Sequence, residues 1–391
     1  MALIMVKDDL VIRDPQLLND RIFRCTGICP KKRNKIIFTF SVVYYTVHIV
    51  LGIWDFIDYI GIQDHMVHNL LESILTISTL CGMLVVAKRG DDLKTIIETM
   101  RDDMKREKLY DNIEEKRLYY YYNSISYNFC RYAPLVSFTT VVPMYIRPLI
   151  EMHGSKGVNG SLAYRLPFRS HMIFDYRTPS RYAIVYVYQF YWCMLPMIHI
   201  AEVGLIVNLA LHCCAKVSIL AHRIRNIQVD STKSFKDGIR KTVIMHLEVR
   251  EYYETLNNNF NMMLLIELMS CGVRLSLSLY FVLIKLDVDM AASINFMIHT
   301  FVVGAYLYVF SYIGEQVVYE SQQLGDAFYN VRWVEVNSQE RKALLMCMMN
   351  GQKTMYITAG KFYTFSLFGF TEKHSRGQLQ SSQYFLTSLP L

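Results

Sequence analysis

The chain has 391 residues, of which 52% are hydrophobic and only 19% are charged, with a formal net charge of +7 at pH 7. A soluble protein of this size carries about a quarter charged residues, so the composition disfavours a soluble enzyme and indicates a polytopic membrane protein. Charges begin at Lys7, which leaves no room for the apolar core of a signal peptide. We therefore expect the first membrane segment to act as the targeting signal.

Six apolar segments are predicted to cross a membrane, the third with help from flanking arginines that reach the interfaces. They comprise residues 36–54, 70–87, 132–146, 182–211, 262–284 and 290–314. A seventh apolar region, residues 344–370, is interrupted at Ala359 and Gly360. We expect a half-buried helix over residues 344–358 and, after the break, an incomplete last span. The predicted fold class is all-α, a polytopic helical bundle.

The connecting segments differ strongly in basic residues, and this contrast predicts the orientation in the membrane. Eight Lys and Arg residues precede Ile36, whereas residues 55–69 contain none. Because basic segments favour the cytoplasm, the N-terminus is predicted to be cytoplasmic. The segment 147–181 would then lie outside, although it contains six basic residues; it also holds the one glycosylation sequon of the chain, at Asn159.

An amphipathic helix is predicted at the end of the sixth apolar segment. Val317, Ser321, Leu324, Phe328 and Val331 recur at steps of four and three residues and so share one helix face. This stretch and the one after it resemble the C-terminal signature of insect odorant receptors. The matching positions are Gly314, Glu315, Ser321, Ala327, Tyr329, Trp333, Gln352, Lys353, Ala359, Gly360, Lys361, Phe362, Ser366, Leu367, Phe370 and Thr371.

The resemblance implies an odorant receptor of the plasma membrane. Such a receptor binds small volatile ligands and is the ligand-sensing subunit of a cation channel formed with the odorant co-receptor. Inside-N topology agrees with this family, and is opposite to that of a G-protein-coupled chemoreceptor, which we keep as a less favoured alternative. A truncated, non-conducting receptor isoform is a further alternative.

A pocket for a volatile ligand should be apolar, with one or two hydroxyl groups that orient the ligand. The resemblance places the pocket among the second, third, fourth and sixth spans, in their outer halves. The candidate ligand-binding residues there are Ser73, Ile77, Thr140, Met144, Tyr145, Tyr188, Tyr191, Met194, Phe296 and Met297. Each of these residues, taken singly, is also explained by ordinary helix packing.

Subunit contacts are expected near the cytoplasmic side, where the resemblance places the region in which receptor subunits meet. The candidates are Trp333, Gln352 and Lys353. An exposed face of a cytoplasmic helix would explain Gln352 and Lys353 equally well.

Charged residues inside the predicted spans require partners, because an unpaired charge in a membrane is costly. Glu267 and Arg274 are seven residues apart and so share one face of a helix. They would form either a polar seam between helices or a structural tie in which Arg274 pairs with Glu202 or another helix. The sequence contains no recognisable catalytic motif, and we expect no enzymatic activity, no cofactor and no metal ion.

The resemblance ends at Thr371, which divides the chain into a receptor domain, residues 1–371, and an atypical tail, residues 372–391. Glu372, Lys373 and Arg376 come where the family continues an apolar helix. Each charge costs about 2.5–3.5 kcal/mol at a bilayer centre. We therefore expect that the chain as written does not complete the pore-lining helix, and that the tail derives from a frameshift, a retained intron or an alternative exon.

Overall fold

The computed structural model describes residues 10–30, 33–105, 112–154, 164, 166–227, 232–332, 335 and 337–367. Within these ranges, the structure describes only the backbone of Thr140 and of residues 151, 153–154, 232–233 and 291–292. The main elements, in chain order, are α1 (Gln16–Thr26), α2 (Lys35–Asp58), α3 (Gln63–Lys88), α4 (Gly90–Lys105), α5 (Ile113–Gly154), α6 (Pro179–Phe190), a 3₁₀ turn (Tyr191–Met194), α7 (Leu195–Arg225), α8 (Thr232–Lys285), α9 (Met290–Tyr329), α10 (Ser338–Gly351), β1 (Thr358–Ala359) and β2 (Tyr363–Thr364).

Among the described residues, six helical runs are long and apolar enough to cross a membrane, and each overlaps one predicted span. They are Lys35–Asp58, Gln63–Lys88, Ile113–Ile150, Pro179–Arg225, Ser234–Lys285 and Ser293–Tyr329. The predicted all-α polytopic fold is therefore confirmed. Helices α5, α8 and α9 have 42, 54 and 40 residues. A span needs only about 20 residues, so these helices extend well beyond a bilayer.

Helix α7 lies at the centre of the bundle. Nearly all of its residues from Ile198 to Ala221 are buried, and it packs against α1, α5, α8 and α9. A helix that is apolar on all sides is expected to be buried on all sides. The 3₁₀ turn that precedes α7 comes just before Pro196, which has no N–H to continue the hydrogen-bond ladder of α6.

Beyond the end of the predicted span, side chains of α7 form a polar network with residues of α4 and α5. Asp103 Oδ2 lies 2.9 Å from Lys216 Nζ and 3.2 Å from His212 Nε2. The Tyr119 hydroxyl lies 3.0 Å from the other ring nitrogen of His212. Burial opposes ionisation of Asp103, but these two partners outweigh it and lower the pKa of the carboxyl.

The region after α9 differs from the predicted helix over residues 344–358. Helix α10 ends at Gly351, and the chain is then extended as far as a hairpin. Each strand of this hairpin has two residues, and Thr358 pairs with Thr364. Gly360 and Lys361 form the turn with φ values of 62° and 64°. The extended form is stabilised by side chains of other helices, because Ser321 Oγ accepts a hydrogen bond from Met355 N at 3.1 Å and Asn257 Oδ1 accepts one from Thr358 N at 3.0 Å.

The hairpin holds the chain against α9 at the residues that carry the C-terminal signature. A Cβ atom at Gly314 would overlap the backbone carbonyl of Phe365, so only glycine permits this approach. One residue later, Glu315 accepts a hydrogen bond from Leu367 N. The predicted amphipathic face of α9 is buried, including Val317, Leu324 and Phe328.

Candidate ligand pocket and subunit-contact residues

Tyr145 of α5 and Tyr186 of α6 join two helices by a pair of reciprocal hydrogen bonds. The Tyr145 hydroxyl donates to the backbone carbonyl of Tyr186 at 2.7 Å, and the Tyr186 hydroxyl donates back to the carbonyl of Tyr145. Their ring centroids are 4.5 Å apart, and Phe168 and Phe190 pack against the same ring of Tyr145. Because the hydroxyl of Tyr145 already has a partner, this residue offers a ligand mainly its half-buried ring.

Tyr188 and Tyr191 face α2. This helix is the first span, which was not among the four spans predicted to form the pocket. The Tyr191 hydroxyl lies 2.7 Å from Ser41 Oγ, and its ring packs at 4.8 Å from that of Tyr44. Tyr188 packs at 5.1 Å from Tyr44 and at 6.3 Å from His48. The Tyr188 hydroxyl and His48 Nδ1 are both buried, and no described residue gives either of them a hydrogen bond.

The remaining candidate residues fall into two groups. Phe296 is buried at 3% exposure between Phe281 and His68, and Ser73 and Met194 are partly buried. By contrast, Ile77, Met144 and Met297 are 42%, 55% and 47% exposed. Phe296 and Met297 are neighbours on a helix and point about 100° apart, and of the two only Phe296 is buried. The side chain of Thr140 lies outside the described residues.

Glu267 and Arg274 are both buried on one face of α8, as their spacing predicts. Glu267 Oε1 lies 3.2 Å from His199 Nε2 of α7. The anticipated pairing of Arg274 with Glu202 is not found: among the described residues Arg274 Nε, Arg274 Nη1 and Glu202 Oε1 have no hydrogen-bond partner. Glu202 instead packs its carboxylate against the backbone of α3 at Gly82, where a Cβ would clash with it.

Of the expected subunit-contact residues, the structure describes Gln352 and Lys353. Both side chains are exposed just after α10, where they are available to a neighbouring molecule. The described residues do not include Trp333, Asn159 or the tail, residues 372–391. What the sequence predicts for them therefore remains a prediction.

The sequence comparisons identify the same family as the C-terminal signature. The model of the family described as 7tm Odorant receptor matches residues 64–372. Odorant receptor Or2 of Anopheles gambiae is 25% identical over 129 residues, which are 33% of this chain and 34% of that protein. Odorant receptor 30a of Drosophila melanogaster is 22% identical over 198 residues, 50% of this chain and 51% of that protein. The matched stretches thus span about half or less of these relatives.

Comparison with solved structures covers nearly the whole chain. The olfactory receptor OR5 from Machilis hrabei superposes with a TM-score of 0.70 over 95% of this chain and 97% of its own. The same receptor in complex with eugenol gives 0.74 over 96% and 98%. Sequence identity is 12% in both cases, so the likeness establishes a shared fold.

Proposed function

Since the chain belongs to the insect odorant receptor family, we propose that it is the ligand-sensing subunit of a heteromeric ligand-gated cation channel. The ligands are small volatile molecules, and the partner subunit is the odorant co-receptor. The observation that carries the proposal is the match of the odorant receptor family model to residues 64–372, and the likeness over 96% of the chain to an olfactory receptor solved with eugenol supports it. The proposed location is the plasma membrane, with the N-terminus in the cytoplasm.

The proposed ligand pocket keeps all ten predicted residues, Ser73, Ile77, Thr140, Met144, Tyr145, Tyr188, Tyr191, Met194, Phe296 and Met297. The contacts favour the aromatic members with inward rings. Tyr145, Tyr188 and Tyr191 present apolar rings, and aromatic rings contribute large contact areas to apolar ligands. Ligand binding among these helices would favour one of two helix arrangements and so bias the channel towards opening.

The proposed subunit contact uses Trp333, Gln352 and Lys353 near the cytoplasmic end of the bundle. Two features support coupling between this region and the rest of the chain. Ser321 and Asn257 each hold the backbone that follows Lys353, through Met355 and Thr358. A shift of α9 would therefore be transmitted to the segment that carries the exposed side chains.

The test is whole-cell current from cells that express this chain together with the co-receptor, compared with the co-receptor alone. We expect odorant-gated cation current that the co-receptor alone does not give. Since the tail is expected to interrupt the last helix, the chain is measured both unmodified and with residues 372–391 replaced by a family-type apolar helix. Absence of such current from both forms, with both present at the cell surface, would contradict the proposal.

A further inference from the structure

Arg274 is a buried charge whose Nε and Nη1 have no hydrogen-bond partner among the described residues. It lies in α8 and is 2% exposed. A guanidinium stays protonated in proteins and presents five donors. The one carboxylate on the same face of α8, that of Glu267, is directed to His199 at 3.2 Å.

Such an arrangement is costly unless another molecule completes it. Buried polar groups in proteins nearly always have hydrogen-bond partners, and a buried charge without one is strongly unfavourable. Ionisable side chains within membrane spans are therefore candidates for functional sites. The missing acceptor of Arg274 is expected to come from outside the chain.

Other buried polar atoms without partners, together with one buried aromatic ring, occur near Arg274 on α8 and on the adjacent α9. Ser270 lies one turn away on the same buried face, and its Oγ also has no partner among the described residues. Across from α8, His299 of α9 lies near enough to Arg274 to feel the charge of the guanidinium, and its Nδ1 has no hydrogen-bond partner among the described residues. Phe296 lies one turn earlier in α9 and is buried.

We propose that Arg274 binds the carbonyl oxygen of a small, otherwise apolar ligand, with His299 and Phe296 at the same end of the site. This inference rests on the proposed function and specifies its ligand class: aldehydes, ketones and esters. A neutral acceptor fits better than a carboxylate, because the nearby charge of Glu267 already offsets that of Arg274. A carbonyl would satisfy the guanidinium without adding a second negative charge to the buried site.

The test compares ligands of the same shape that differ only in the carbonyl oxygen. Suitable pairs are acetophenone with α-methylstyrene, benzaldehyde with styrene, and hexanal with heptene that carries a terminal double bond. The full chain, purified with the co-receptor in detergent, is heated with increasing ligand, and the concentration that gives half of the maximal thermal stabilisation is determined. This measurement does not require a conducting pore.

For each pair of ligands that binds, we expect the carbonyl compound to reach half-maximal stabilisation at a concentration at least about tenfold lower than the alkene. This is the gain expected from a hydrogen bond to a charged group. Arg274→Met should abolish that difference and leave binding of the alkene unchanged, whereas Arg274→Gln, which keeps donors, should retain part of it. Arg131→Met, at an exposed arginine of α5, is the matched control and should change neither ligand.

Equal binding of carbonyl and alkene by the unmodified receptor would overturn the inference, even if Arg274→Met failed to fold. An Arg274→Met variant that keeps the carbonyl preference would overturn it as well, and would mean that water alone satisfies Arg274. Neither result bears on odorant-gated current, so the proposed function would stand. If none of the ligands stabilised the receptor, the inference would fail, whereas the proposed function would still be decided by the current measurement.

Discussion

Glu315 of α9 accepts a hydrogen bond from the backbone N–H of Leu367, 52 residues further along the chain, at 2.9 Å. The neighbouring Gly314 touches the carbonyl of Phe365. The backbone that follows the hairpin is therefore attached to α9 through two consecutive residues. In the proposed channel, this is the point at which a movement of α9 would reach the last segment.

Loss of the Glu315 contact should weaken this attachment. Glu315→Ala removes the charged acceptor that Glu315 provides to the Leu367 N–H, and we expect the free energy of unfolding to fall by about 1–3 kcal/mol. Glu315→Gln keeps an acceptor oxygen and should lose less. Thermal melting of the purified receptor measures both. Glu254→Ala, at an exposed residue paired with Arg250, is the control, and an equal effect of that variant would argue against a specific role.

The tyrosines of the proposed pocket should affect ligand response in a ligand-dependent way. Tyr145→Ala and Tyr191→Ala remove rings that pack at the outer part of the bundle, and we expect shifted odorant concentration responses with surface expression intact. Tyr145→Phe loses only the hydrogen bond to Tyr186 and should shift them less. The pocket assignment fails if every ligand, including a direct agonist of the co-receptor, is affected equally.

Asp103 should stabilise the end of the bundle where α4 packs against α7. Asp103→Asn leaves Lys216, itself 6% exposed in its side chain, without a carboxylate partner, and we expect a loss of about 3 kcal/mol. Because its pKa is lowered in the fold, the contribution is present above the ordinary value of 3.8 and is lost as pH falls through the lowered pKa. Thermal melting at neutral pH is the measurement. The exposed Asp91→Asn is the control, and a melting temperature unchanged in both variants would contradict the assignment.

The orientation in the membrane can be tested independently of ligand binding. An epitope tag at Met1 should be stained only after the cells are permeabilised, because the basic N-terminal segment is expected in the cytoplasm. If the outer segment is glycosylated, Asn159→Gln should remove the glycan-dependent gel shift. Staining of intact cells would reverse the predicted topology.

The spans and the fold class could be predicted from sequence because they depend on apolar length, which is a local property. The residues that line a pocket depend on helix rotation, which is not local. Adjacent Phe296 and Met297 were both predicted to line it, yet only Phe296 is buried. That Arg274 Nε and Nη1 have no hydrogen-bond partner among the described residues could not be foreseen either, because Glu202 was a suitable partner by sequence, and only the structure places its carboxylate against Gly82.

The segment after α10 shows a different limit of sequence reasoning. Its apolar residues indicated a helix up to Thr358, but Tyr253, Asn257 and Ser321 bind its backbone in an extended form. These partners are at least 34 residues away in the chain. Local propensity does not include such contacts, so the hairpin could be identified only in three dimensions.

The measurement that tests the central claim most directly is odorant-gated current in cells that express this chain with the co-receptor. The account predicts cation current with a ligand selectivity absent from the co-receptor alone, obtained when residues 372–391 are replaced by an apolar helix, and no such current from the unmodified chain. A robust current from the unmodified chain would refute the interpretation of the tail. Silence of both forms at the cell surface, across the whole ligand panel, would contradict the claim that this chain is a ligand-sensing channel subunit.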